Sequence, residues 1–288
     1  CGSTAALQMA LALVHQNPAK RVLIVASDVA RYGLETPGEP TQGSGAIAMV
    51  ISSTPKLLVL DAESGSYTED VMDFWRPNYR DEALVDGKYS IKVYLKALGH
   101  SYHEYQRESG RSMADCYRFC FHLPFTRMAE KAMSHLDRVD NSGSQDGPRR
   151  FADTLHYNHV TGNSYTASLY IGLASLLEQT KENLAGQRIA LFSYGSGCMA
   201  TFFSGVVLED YYRHLRQDQH THMLESRTPL TYGEYHAFYS HALPEDGSVY
   251  ETPRFSTGPF RLAGITNHKR RYERVSQPPL PLAVPSPD

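Results

Sequence analysis

One arrangement of apolar segments occurs twice in this chain, and that repetition limits the folds open to it. Residues 3–16 carry Ala5, Ala6, Leu7, Met9, Ala10, Leu11, Leu13 and Val14, apolar nearly all round, before Asn17-Pro18 stops the run. A helix apolar on every side belongs in an interior. Arg21–Ala26 then reads as a buried strand ending at Ser27-Asp28. After a Gly/Pro-rich loop from Gly33 to Gly45, Ala46–Ile51 reads as a second one. The same order returns later. Asn163–Leu177 is a small-residue apolar helix, followed by a polar turn with Gly186, a strand over Arg188–Phe192, the turn Ser193-Tyr194-Gly195-Ser196-Gly197 and a strand over Met199–Leu208. Duplication is the economical reading. Two copies of a buried helix with continuously apolar strands predict a layered α/β core.

The copies divide the chain. Residues 1–61 read as the remainder of a first half and residues 161–276 as a second half. Residues 62–160, rich in Tyr, His and charge, read as an insert. The insert holds an amphipathic stretch around Ile91–Arg107 and a surface loop at Asn141–Arg150. The Pro-rich tail, 277–288, is expected to be disordered. Because the chain starts at Cys1 directly before a helix-like pattern, an N-terminal portion is expected to precede it.

Composition removes several classes of function. Of the 288 residues 41% are hydrophobic, enough for a sizeable core, and the formal net charge is −3. No charge block suggests a nucleic-acid arm or a polybasic membrane patch, and no apolar run approaches the roughly 20 residues that cross a bilayer. The basic cluster His268–Arg271 reads as a solvated helix end. Cys1, Cys116, Cys120 and Cys198 have no metal-ligand spacing, which fits a reduced, cytoplasmic protein. Cys116 and Cys120, four apart, suit one buried face of a helix. His220 and His222 lack a third ligand nearby, so no metal is expected.

Four places could carry chemistry. Cys1 precedes a helix, where the macrodipole and free N–H groups favour a thiolate; a small buried cysteine at a helix start is the plain alternative. His122, in Phe121-His122-Leu123-Pro124-Phe125, could transfer a proton or polarise a carbonyl, or simply be a satisfied core histidine. The 193–197 turn could line up backbone N–H groups as an oxyanion hole, or be a tight turn only; it does not fit the Gly-x-Ser-x-Gly elbow around Ser196. Asp28 and Asp73, beside apolar stretches, could each cap a helix or hold a loop.

Taken together, longer stretches carry a resemblance. Ser27-Asp28-Val29-Ala30-Arg31-Tyr32, Pro40–Ala46, Tyr67–Asp70, Asp73-Phe74-Trp75-Arg76-Pro77, Val85–Ser90, Phe121–Phe125, Gly162-Asn163-Ser164-Tyr165-Thr166 and Phe192–Gly197 resemble, in order, the 3-hydroxy-3-methylglutaryl-CoA synthase family of the thiolase superfamily. The resemblance runs from residue 1 to about 275. It implies a thiolase-like fold of two pseudo-symmetric halves in α/β/α/β/α layers. It also implies a homodimer and no bound cofactor, the substrates riding on CoA or phosphopantetheine thioesters. In such enzymes a cysteine takes an acetyl group, a glutamate removes a methyl proton, and the enolate attacks the ketone of an acetoacetyl thioester.

Carried over by position, Cys1 matches the nucleophile and His122 the histidine at the acceptor. Asn163 and its neighbour Tyr165 match the acceptor site, and Gly195-Ser196 the acetyl-carbonyl site. Asp28 and Asp73 match acidic positions that support the acetylated state. Two departures stand. The family has Cys-Tyr before two small residues and Thr, whereas Cys1-Gly2-Ser3-Thr4 is one residue shorter, so Cys1 stands either at the nucleophile or at the tyrosine. The family's glutamate lies before the cysteine, outside these residues. Phe74–Tyr79, Lys88–Leu95 and Gly264–Tyr272 look closer to polyketide β-branching members, which use acyl-carrier protein, than to the mevalonate-pathway enzyme. A non-catalytic thiolase-fold partner subunit is an alternative of another class. A ketoacyl synthase or thiolase proper is a further enzyme alternative, with Cys198 as its attraction.

Overall fold

A computed structural model describes residues 1–80, 82–141, 147–252 and 259–275. Residues 142–146 of the expected surface loop and the expected disordered tail, 277–288, lie outside the described residues. The chain forms two units, Cys1–Glu225 and Ser226–Asp288.

In the first unit the elements follow the order α1 (Gly2–Gln16), β1 (Arg21–Ala30), β2 (Gly43–Ser52), β3 (Leu58–Thr68), β4 (Phe74–Trp75), β5 (Leu84–Val85), α2 (Gly87–Ser109), β6 (Arg118–Phe121), α3 (Met128–Val139), α4 (His156–Thr161), α5 (Ser168–Gln179), β7 (Arg188–Gly195), β8 (Met199–Val207) and α6 (Gln217–Glu225). The repeated order is present: α1-β1-β2 and α5-β7-β8 are each a helix followed by an antiparallel strand pair. β1 and β2 form a two-stranded sheet, and a second sheet runs β3-β8-β7-β6. α1 packs on β1 and β2, and α5 reaches both β2 and the β6–β7 side of the second sheet, so these two helices lie between the sheets. α2 covers the far face of the second sheet, packing on β3 and β8, and α3 packs against α2. Leu7, Leu169, Leu176 and Leu191 fill the inner interface, and Leu98, Phe119, Phe121, Met133 and Phe202 fill the outer one.

Burial separates the two copies. α5 is buried along Ser168–Gly172 and Ser175–Glu178, as an all-round apolar helix should be. α1 instead buries Ser3, Thr4, Leu7, Ala10 and Val14, while Met9 is 68% exposed. Expected as buried strands, β1 and β2 alternate, with Leu23, Val25, Val29 and Val50 exposed. Helices cover only one face of that pair among the described residues, and successive side chains of a strand point to opposite faces.

The stretch expected as an insert is part of the core. β3 flanks β8 on one side, and β6 pairs in parallel with β7 on the other. α2 begins where the Asp86 side chain accepts the Tyr89 N–H at 3.1 Å, and it ends at Gly110, whose φ of 67° closes the helix in a left-handed cap. Cys116 and Cys120 are both buried, but on the approach to β6 and within it, not on a helix. A spacing of four keeps a face in a strand as well as in a helix.

In the second unit, α7 (Tyr232–Tyr239) opens with a capping box between Thr231 and Glu234. β9 (Tyr250–Glu251), β10 (Phe260–Thr266) and β11 (Lys269–Arg274) form an antiparallel sheet in the order β11-β10-β9. The basic cluster expected at a helix end is therefore a hairpin. Asn267 and His268 both take positive φ, 49° and 63°, the pair of left-handed residues that a two-residue hairpin turn requires.

β3 meets α2 almost backbone to backbone. A methyl group on Gly65 would lie 2.0 Å from the Ser101 carbonyl oxygen and 2.3 Å from the Tyr105 nitrogen. Gly65→Ala should therefore force the helix off the sheet and lower stability by about 1–3 kcal/mol in urea denaturation. An unchanged midpoint would contradict this packing.

Candidate active site

The site grows from the start of α1. Cys1 is its N-terminal cap residue, so the thiol sits where unpaired backbone N–H groups and the positive end of the helix dipole favour negative charge. The thiol donates to the Met199 carbonyl at 2.9 Å and receives the Ser193 hydroxyl at 3.4 Å. Behind Ser193 stand two more hydroxyls. Thr4 Oγ1 donates to Ser193 Oγ at 2.8 Å, which leaves Tyr170 as donor to Thr4 at 2.8 Å. A buried hydroxyl chain thus aims hydrogens toward the sulfur, an arrangement that stabilises a thiolate.

Gly195 ends β7 directly against this point. A methyl group there would lie 2.6 Å from the Cys1 nitrogen, so only glycine allows the turn to approach the helix start. The turn is held from behind by Asp73, which is fully buried. Its carboxylate accepts the Tyr194 hydroxyl at 2.8 Å, the Gly197 N–H at 3.0 Å and the Ser90 hydroxyl at 3.0 Å. Burial first, and then this carboxylate, push the Tyr194 hydroxyl far above its ordinary pKa, so it remains a donor.

His122 follows β6. Its backbone N–H donates to the Phe192 carbonyl at 2.8 Å, and its own carbonyl accepts the Tyr94 hydroxyl at 2.9 Å. The Ser168 hydroxyl lies 3.1 Å from His122 Nδ1. Burial lowers the imidazole pKa to about 3, so the ring is neutral near pH 7.

On the opposite wall Asn163 Nδ2 donates to the Tyr32 hydroxyl at 2.8 Å, and its Oδ1 accepts the Tyr165 N–H at 2.9 Å. Tyr165 is thereby held at a φ of 45°, a left-handed conformation costing a bulky residue about 1–2 kcal/mol. The Phe74 ring lies 6.0 Å from both Tyr32 and Tyr165.

These groups open on one cavity of about 740 Å3. Cys1, Asp28, His122, Asn163, Tyr165, Gly195 and Ser196 all line it. Asp73 does not; it lies behind the glycine turn as a brace. Tyr32, Phe74 and Tyr94 also line the cavity, and sequence reading assigned them no role. The only signal was membership of matched stretches, as for Tyr32 in Ser27–Tyr32. Cys198 is buried, and burial raises its thiol pKa, which suits packing rather than nucleophilic attack. His220 pairs with the buried Glu178 at 2.9 Å, and among the described residues no group of three His, Cys, Asp or Glu could hold a metal ion.

The chain is similar to known proteins over most of its length. The family model for the C-terminal part of hydroxymethylglutaryl-coenzyme A synthase matches residues 58–149 and 145–242. A hydroxymethylglutaryl-CoA synthase of Enterococcus faecalis is 40% identical over 248 residues, 85% of this chain and 64% of that protein. The polyketide biosynthesis 3-hydroxy-3-methylglutaryl-ACP synthase PksG of Bacillus subtilis is 30% identical over 256 residues, 82% of this chain and 60% of that protein. The chain thus spans less than two-thirds of the length of these relatives. Among solved structures, an HMG-CoA synthase complexed with CoA superposes with a TM-score of 0.88 at 40% identity, covering 95% of this chain and 71% of that one. The curacin pathway HMG synthase in complex with its acetyl donor-ACP superposes with a TM-score of 0.86 at 29% identity, covering 95% and 72%. The fold is thiolase-like.

A histidine held neutral by burial ties stability to pH. The unfolded chain binds a proton at His122 near pH 6.5 and the folded chain only near 3, so its contribution is whole above 6.5 and is lost as pH falls toward 3. By pH 5 the loss should reach about 2 kcal/mol, read as the change in urea stability from pH 7. His122→Gln should flatten that slope. An equal slope in both proteins would contradict a neutral imidazole at His122.

Proposed function

The chain belongs to the hydroxymethylglutaryl-CoA synthase family, and from that premise we propose that it carries the acyl-transfer and condensing site for an acetyl group and a β-ketoacyl thioester. The observation that carries the reading is the single cavity onto which Cys1, His122, Asn163 and the Gly195 turn all open. In the first step the Cys1 sulfur attacks the donor's thioester carbonyl, and the carrier thiolate leaves. The helix dipole and the Ser193 hydroxyl favour the attacking thiolate. Backbone N–H groups of the 195–196 turn are the donors suited to the oxyanion that forms. In the second step the acetyl methyl loses a proton and the resulting enolate attacks the ketone of the acceptor. A neutral His122 suits that ketone, since it can donate a hydrogen bond without bringing a charge into an apolar wall. Water then releases the product from the cysteine. The glutamate that takes the methyl proton in the family pattern precedes the cysteine and is not among residues 1–288.

The carrier of the substrate is a second question. The stretches near Phe74, Lys88 and Gly264 suggested an acyl-carrier protein. The support for CoA is the 40% identity to the Enterococcus faecalis enzyme and to the structure complexed with CoA; other relatives named for CoA are 28–32% identical, level with the 29–30% of the carrier-protein enzymes. A partner subunit without activity would have no need of the matched residues that line the cavity.

Mass spectrometry of the protein after incubation with acetyl-CoA, or with acetylated carrier protein, tests both points. One acetyl group on Cys1, formed faster from CoA, is the expected result. Acetylation elsewhere, or none from either donor, would remove Cys1 from the nucleophile's place. In the complete enzyme, His122→Ala should still acetylate but lose condensation by about 100-fold or more. Normal condensation in that variant would exclude His122 from the second step.

A further inference from the structure

His122 has two ring nitrogens in different surroundings, and the difference decides which of them carries the proton. Nδ1 faces the Ser168 hydroxyl at 3.1 Å. Ser168 is fully buried at the first residue of α5 and does not line the cavity. Its oxygen already accepts the Leu123 N–H at 3.0 Å. The oxygen keeps a second lone pair, but among the described residues His122 Nδ1 is the one acceptor within reach of the hydroxyl's hydrogen, so this buried donor is left unpaired unless Nδ1 accepts it. A neutral imidazole whose Nδ1 accepts carries its own hydrogen on Nε2. Nε2 has no protein partner among the described residues, and His122 lines the cavity.

We propose that Ser168 is a positioning residue that holds His122 as its Nε2–H tautomer, with that N–H presented to the cavity as a hydrogen-bond donor. The consequence for chemistry rests on the condensation reading above. A donor at Nε2 stabilises negative charge developing on the acceptor's ketone oxygen, whereas the other tautomer would present a lone pair to it. The neighbouring Leu123 N–H is part of the device, because it occupies one of the oxygen's two lone pairs and leaves the hydroxyl's hydrogen to be placed on Nδ1. Sequence reading placed Ser168 within an apolar small-residue helix and gave it no task. Its position on α5 links the helix between the two sheets to the histidine at the end of β6.

Nitrogen-15 NMR of the chain labelled in its histidines reads the tautomer without any turnover. The expected wild-type spectrum has an unprotonated Nδ1 and a protonated Nε2 on His122, assigned by its loss in His122→Gln. Ser168→Ala should shift His122 toward the Nδ1–H form or a mixture, and Ser168→Thr, which keeps the hydroxyl, should preserve the wild-type pattern. In the complete enzyme, Ser168→Ala should lower kcat for condensation by roughly 10- to 100-fold while acetyl transfer to Cys1 persists, and Ser168→Thr should restore most of it. A wild-type His122 protonated on Nδ1 overturns the proposal, as does an unchanged tautomer or unchanged condensation in Ser168→Ala. The wild-type spectrum alone can overturn it, so a poorly folding alanine variant does not shield it. A wild-type enzyme that acetylates but never condenses would defeat the condensation reading, and the spectra would still decide the tautomer.

Discussion

The start of α1 and the end of β7 come together because Gly195 has no side chain. A single methyl group there would lie 2.6 Å from the Cys1 nitrogen, closer than packed atoms tolerate. Everything at the site depends on that approach. It brings a thiol at a helix N-terminus beside the backbone N–H groups of a glycine turn, two features that come from different copies of the repeated unit. Neither copy contains the site by itself. The pairing of α1 with the β7 turn is also why Ser3 and Thr4 are buried at the head of an apolar helix: they bond to Thr166, Tyr170 and Ser193 across the seam.

Two further braces keep the cavity in shape. Asp73 draws Tyr194, Gly197 and Ser90 onto one carboxylate, fixing the turn from behind. Removing a buried acceptor of three hydrogen bonds leaves donors stranded, which costs far more than one bond contributes. On the opposite wall Asn163 spans Tyr32 and the Tyr165 backbone, and holds Tyr165 in a conformation it would not take alone. Tyr32, Phe74, Tyr94 and Tyr165 bring aromatic rings to the cavity lining.

Much of this was legible in the residues, and the failures have physical causes. The α5-β7-β8 copy reads clearly because its helix and strands are buried on nearly every side, so apolar content alone marks them. Its counterpart was over-read as buried, since Leu23, Val25 and Val50 look like core residues yet lie on a face that no described helix covers. β3 and β6 were missed inside a supposed insert. Asp61 and Glu63 interrupt the apolar pattern of β3, and distant partners explain them: Arg188 on β7 meets Asp61 at 2.9 Å, and Arg111 meets Glu63 at 2.9 Å. β6 has four residues and begins with Arg118, whose charge is met by Glu182. Local periodicity cannot carry such long-range pairings. At the site, Cys1, His122 and the glycine turn could each be read as packing alone, and His122 satisfies both readings, with one nitrogen held by the core and the ring open to the cavity. Asp73 could be seen as a carboxylate, but not that its partners lie 121 and 124 residues away.

The proposed chemistry requires an acetyl group on Cys1 to reach the Gly195-Ser196 turn while His122 faces the same space. A crystal structure of the protein with a non-hydrolysable acetyl thioester analogue tests it directly. The thioester carbon is expected beside Cys1 Sγ, its carbonyl oxygen on the N–H groups of the Gly195-Ser196 turn, and His122 Nε2 facing the same space. An analogue bound with its carbonyl away from that turn, or with His122 turned out of reach, would contradict it.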